Sequence, residues 1–63
     1  MGRGISELDV VTLRRDLPEA NLHAGDHGTV VHEYNGAYEV EFLSAAGRHI
    51  ALLTLDADDV RLT

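Results

Sequence analysis

LHAGDHGTVVHEYNGAYEVEF, residues 22–42, reads as a β-hairpin and decides the fold. Asn35-Gly36 is its strongest local signal. A type I′ turn needs positive φ at both central residues, and Asn-Gly tolerates that better than other pairs. The turn joins a strand at His27–Tyr34 to one at Ala37–Leu43. Gly25 and Gly28 bracket Asp26-His27, a spacing suited to a tight turn feeding the first of these strands. A two-residue turn sets the register: Tyr34 faces Ala37, Glu33 faces Tyr38, His32 faces Glu39, Val31 faces Val40, Val30 faces Glu41 and Thr29 faces Phe42. Side chains alternate between faces. Val31, Tyr38, Val40 and Phe42 are therefore expected in the core, and His32, Tyr34, Glu39 and Glu41 outside. Val30 is the misfit on the outer face. A bulge near Gly28 would turn it inward and bend the strand, as small barrels require.

Working outward, Glu7–Leu13 (ELDVVTL) is predicted as the first strand, with Leu8 and Val10 on one face and Val11 and Leu13 on the other. Arg14–Asp26 is a long connection. Pro18 donates no backbone hydrogen bond and keeps Leu17 extended. Glu19–Leu22 has room for one helical turn, which Asn21 is suited to stop, and Leu17 and Leu22 are expected to fold back under the loop. Ser44–Arg48 is a polar turn hinged at Gly47. His49–Leu55 (HIALLTL) is a fourth strand with Ile50 and Leu52 on one face and Ala51, Leu53 and Leu55 on the other. Asp56–Asp59 reads as a short helical turn capped by Asp56, and Val60–Leu62 as a last strand pairing with the first. Residues 1–6 are expected to be a flexible tail and residues 7–63 a single domain.

The 63 residues include no cysteine, which excludes disulfides, cysteine zinc sites and thiol nucleophiles and fits a reducing cytoplasm. A chain of this size buries only about 60% of its unfolded surface, so docking on a partner or self-association is a common supplement. Apolar runs are too short to span a membrane, and no secretory signal precedes the first strand. Met1-Gly2-Arg3-Gly4-Ile5-Ser6 fits the loose myristoylation pattern, but that pattern is short, and a flexible start or an expression remnant explains it better. The expectation is a cytoplasmic protein.

Charge narrows the partners. Five arginines stand against eleven acids, a formal charge of −6. That repels a phosphate backbone. Arg14, Arg15, Arg48 and Arg61 are the residues that a nucleic-acid interface would use. The four histidines, His23, His27, His32 and His49, make surface charge pH-dependent. A zinc site needs three or four converging ligands, and their spacing matches no helical metal motif. His23 and His27 flank one turn, and His32 lies opposite Glu39. Glu39 and Glu41 share a strand face, but acid–base chemistry also needs a pocket and a raised pKa. Asp56, Asp58 and Asp59 lack the glycine and terminal glutamate of a calcium loop. No catalytic, cofactor or metal residue is assigned.

Five short strands, a long first loop, a tight hairpin and a helical turn before the last strand describe an all-β, five-stranded SH3-like barrel. Leu22–Val31, L-x-A-G-D-x-G-T-V-V, resembles the corresponding segment of SH3-like and KOW-type domains. The whole chain is similar to a family of bacterial proteins of about this length, classed as a domain of unknown function. The shared pattern runs through Leu8-Asp9-Val10-Val11, Asp16-Leu17-Pro18, Gly25-Asp26-x-Gly28-Thr29-Val30-Val31, Tyr38-Glu39-Val40-Glu41-Phe42, Gly47 and Asp59-Val60-Arg61. The resemblance implies a gene often paired with a second small gene, in the manner of toxin–antitoxin pairs, and carries no catalytic residues.

The functional expectation is a non-enzymatic protein-interaction module that self-associates or binds a cognate protein. Surplus apolar surface on a small domain marks an interface. Either Leu8, Val10, Ile50 and Leu52 or the opposite set Val11, Leu13, Ala51 and Leu53 would form it, because no turn sets the register of the first and fourth strands. A KOW-like nucleic-acid role is the alternative, and a histidine metal site the third.

Overall fold

The structure is a computed structural model that describes residues 4–43 and 48–63 and, within them, all side chains but those of His49 and Ile50. Five strands form one antiparallel sheet: β1 Val10–Leu13, β2 His27–Tyr34, β3 Ala37–Leu43, β4 His49–Asp56 and β5 Val60–Leu62, in the spatial order β4-β3-β2-β1-β5. This is the strand order of an SH3-like barrel, as the sequence predicts. The sheet is open, because β4 and β5 share no ladder among the described residues. The turn expected over residues 44–47 lies outside the described residues.

Local chemistry explains the connections. Asn35 and Gly36 take φ of 50° and 85°, the left-handed values of the I′ turn. Pro18–Ala20 forms a single 3₁₀ turn, and Asn21 stops it at φ 58°. Leu17 and Leu22 form an isolated bridge at its base, both buried. Ala57–Asp59 is a second 3₁₀ turn between β4 and β5. There the Asp59 carboxylate accepts the Asp56 backbone N–H at 3.0 Å. An acceptor at this end satisfies a donor that the turn itself cannot pair.

The core is built from Val11, Leu13, Leu17, Leu22, Val30, Tyr38, Val40, Phe42, Leu55 and Val60, with Ile5, Ala20, Ala51, Leu53 and Leu62 packed around it. Ile5 thus belongs to the packed domain rather than to a free tail. Thr12, on the opposite face of β1, is also buried, and its hydroxyl bonds that of Thr63 at 2.8 Å. Thr63 N–H further donates to the Val10 carbonyl, tying the last residue to the first strand.

Three expectations are corrected. The hairpin register shifts between Val30 and His32: Thr29 pairs Glu41 and Val30 pairs Val40, so Val31 is the bulged residue. Val30 is fully buried and Val31 is 40% exposed, the reverse of the alternation counted from the turn. The bulge needed to bring Val30 inward exists, but it lies at Val31 and not near Gly28. Gly28 is a buried β2 residue rather than a turn residue. Only Gly25, at φ 96°, serves the turn before β2. The first strand is also shorter than expected. Leu8 takes φ 73°, and Ser6 N–H donates to the Asp9 carboxylate at 2.8 Å while Asp9 N–H donates to the Ser6 carbonyl. This turn replaces the strand at Glu7–Asp9 and leaves Leu8 in solvent.

Candidate functional site

The outer face of β1–β4 carries the features that could recognise another molecule. Directly paired residues share a face. Val10, Thr29, Glu41 and Leu52 therefore form one row across four strands. His32, Glu39 and Thr54 form the next, and Tyr34, Ala37 and Asp56 a third. Leu43 stands two residues beyond Glu41 on β3. It borders a small concavity with Val10, His27, Gly28, Thr29 and Glu41.

Exposed apolar side chains gather at and beside the first row. Val10, Leu43 and Leu52 are each about half exposed. Leu8 is nearby in the ladder, because its N–H donates to the Val30 carbonyl at 2.7 Å. Of the two alternative sets of contact residues, the structure exposes the one containing Leu8, Val10 and Leu52. Val11 and Leu13 are in the core, and Leu53 is packed against it. Val11 and Leu13 are thereby closed to a partner, and Leu53 is left partly exposed. The side chain of Ile50 lies outside the described residues.

The second and third rows make a cleft of about 420 Å³, lined by His32, Tyr34, Ala37, Glu39 and Thr54. The His32 and Tyr34 rings stack with centroids 6.0 Å apart and planes 28° apart. His32 Nδ1 lies 3.4 Å from the Glu7 Oε2, so the turn that shortens β1 brings a second carboxylate to the rim. This contact escaped sequence reasoning because Glu7 was placed within a strand. Leu43 was also missed, although it shares the parity of Glu39 and Glu41.

His23, His27 and His32 do not converge. His23 Nδ1 faces the Asp26 carboxylate at 3.9 Å, and His27 is exposed on β2. Among the described residues no three of His, Asp or Glu are grouped as a metal ion would need. Arg14 and Arg61 line a broad, shallow concavity with Leu13, Ala24 and Gly25. Arg15 is committed elsewhere: its Nε donates to the Asp59 carboxylate at 2.8 Å. That bond, together with the one from the Asp56 N–H, holds the Asp59 carboxyl below the usual carboxylate range. No helix among the described residues is long and apolar enough to cross a membrane.

An open, five-stranded antiparallel sheet with this strand order, coiled over one apolar core and bearing a mixed apolar and acidic outer face, defines a small domain of the SH3-like barrel class. The chain belongs to the family described as a domain of unknown function, DUF4926, which matches residues 7–62. No curated protein and no solved structure matches it.

Proposed function

We propose that this domain is a small, non-enzymatic protein-interaction module of the cytoplasm, which self-associates or binds a cognate protein in an antitoxin-like role. The observation that carries this reading is the group of half-exposed Val10, Leu43 and Leu52 on the outer face. Apolar side chains gathered on one face of a small domain gain free energy by being covered. The acidic charge around them favours rapid association with a basic protein.

The test pairs Val10→Asp with Leu52→Asp. Light scattering on the chain alone and co-purification with the product of the neighbouring gene should both register assembly in the native chain. The double variant should stay folded and lose that assembly. A native chain that is strictly monomeric and retains no partner overturns the reading.

A second reading rests on Arg14 and Arg61, whose shared concavity could hold a phosphate, as in a KOW-like nucleic-acid domain. It must overcome a net charge of −6. Salt-sensitive retention of RNA or DNA that Arg61→Glu abolishes would support it, and no retention at low salt removes it.

A further inference from the structure

We propose that the outer edge of β4 takes up an extended segment of a partner protein, and that the cleft of His32, Tyr34, Glu39 and Thr54 receives an arginine or lysine side chain from that segment. The inference rests on the interaction-module reading and adds the chemistry of the partner.

The two edges of the sheet differ. β5 is three residues long and carries Arg61 at its centre. Short, charged edges resist further pairing. β4 is eight residues long and pairs with β3 alone among the described residues. Its sequence, HIALLTLD, has no proline or lysine, and its only acid is the terminal Asp56. A long uncharged edge is a template for strand addition, in which main-chain hydrogen bonds supply affinity and alternate side chains supply specificity.

The cleft is placed to provide that specificity. Thr54 belongs to β4 itself, and Glu39 is its partner on β3. A residue of an added strand opposite Thr54 would lie two strand spacings from Glu39, about 10 Å. A long basic side chain reaching over Thr54 toward the Glu39 carboxylate closes most of that gap. Beyond Glu39, on β2, stands the Tyr34 ring at the back of the cleft, 66% exposed and stacked on His32. An aromatic face and a carboxylate together select a cation. Glu7, on the far side of His32, adds a second negative group. An anionic side chain would be repelled by both carboxylates, and an apolar one would leave Glu39 without a cation.

A second copy of this chain fits less well as the occupant. Pairing β4 with β4 brings together two bodies that each carry −6, and like charge opposes their approach. A segment rich in arginine or lysine gains from the same field.

The experiment is an amide-resolved NMR titration of the whole chain. The probes are a blocked heptapeptide of threonines and glutamines with one central arginine, and the same peptide with citrulline in its place. Citrulline keeps the shape and removes the charge. The arginine peptide should shift the amides of β4 together with those of Tyr34, Ala37 and Glu39. It should bind about tenfold more tightly than the citrulline peptide, the effect of roughly one charge-assisted contact. Glu39→Gln, with an unchanged melting temperature, should erase the difference between peptides. Equal binding of both peptides, shifts centred on β5, or no shifts at all would overturn the inference, as would a β4-centred dimer of the chain alone. If the peptides fail while an assembly sensitive to Val10→Asp and Leu52→Asp persists, only this inference falls. Loss of both removes the interaction-module reading as well.

Discussion

Gly28 lies against Val40 so closely that a Cβ added to it would come within 2.6 Å of Val40 Cγ1, and within 2.9 Å of the Phe42 ring. The glycine lets β2 cross the core at this point. Gly28→Ala should therefore destabilise the domain by about 1–3 kcal/mol, the usual cost of overpacking. A urea midpoint equal to that of the native chain would show that the core has room there.

The bulge makes a paired prediction. Val30→Ala removes fully buried methyl groups and should cost about 2 kcal/mol. Val31→Ala acts on the exposed, bulged neighbour and should stay within about 0.5 kcal/mol of the native chain. Urea unfolding of the two variants side by side distinguishes this register from simple alternation, which predicts the opposite order.

Phe42 is the largest of the fully buried side chains. Phe42→Ala should cost about 3–5 kcal/mol. A domain of this length holds only about 3–9 kcal/mol in total. Circular dichroism should show a largely unfolded variant at 37 °C, and a native-like melting curve would place Phe42 outside the core.

Gly36→Val tests the hairpin turn. A β-branched residue at φ 85° is strained, at about 1–2 kcal/mol by the left-handed penalty. The measurement is the thermal midpoint, with Gly4→Val, where an added Cβ meets nothing within 4 Å, as the control expected to change little.

Asp59 links the second 3₁₀ turn to Arg15. The Arg15 guanidinium, and then the Asp56 N–H, lower its pKa in the folded state. A lowered carboxylate stabilises the fold above the unfolded value of about 3.9 and loses that contribution as pH falls through the folded value. Asp59→Asn should thus melt a few degrees below the native chain at neutral pH, with the gap closing in acid. A gap independent of pH would mean that the carboxylate charge contributes nothing.

Much of the fold was legible in the chain because its signals are local. Asn35-Gly36, Pro18 with Asn21, and the Asp56–Asp59 turn each express preferences of a few adjacent residues, and each forms where those preferences place it. The candidate site was legible only in part. His32, Tyr34 and Glu39 could be set on one outer face by counting from the turn. Glu7 could not, because it reaches His32 through a turn at Leu8 that a β-favouring stretch conceals.

The sequence by itself determined five strands, the turns at Pro18–Asn21, Asn35-Gly36 and Asp56–Asp59, and an all-β fold. Tertiary structure decided which side of each strand faces inward. In β1 and β4 apolar residues occupy both faces, so alternation alone leaves Val10 and Val11, or Leu52 and Leu53, equivalent. The ladders with β2, β5 and β3 break that tie. They bury Val11 and Leu53 to different degrees and leave Val10 and Leu52 outside. The bulge at Val31 was decided in the same way. Shifting one residue reverses the faces of a strand, and burying Val30 in the core with Val40 and Phe42 outweighs the regular pairing that the turn alone would favour.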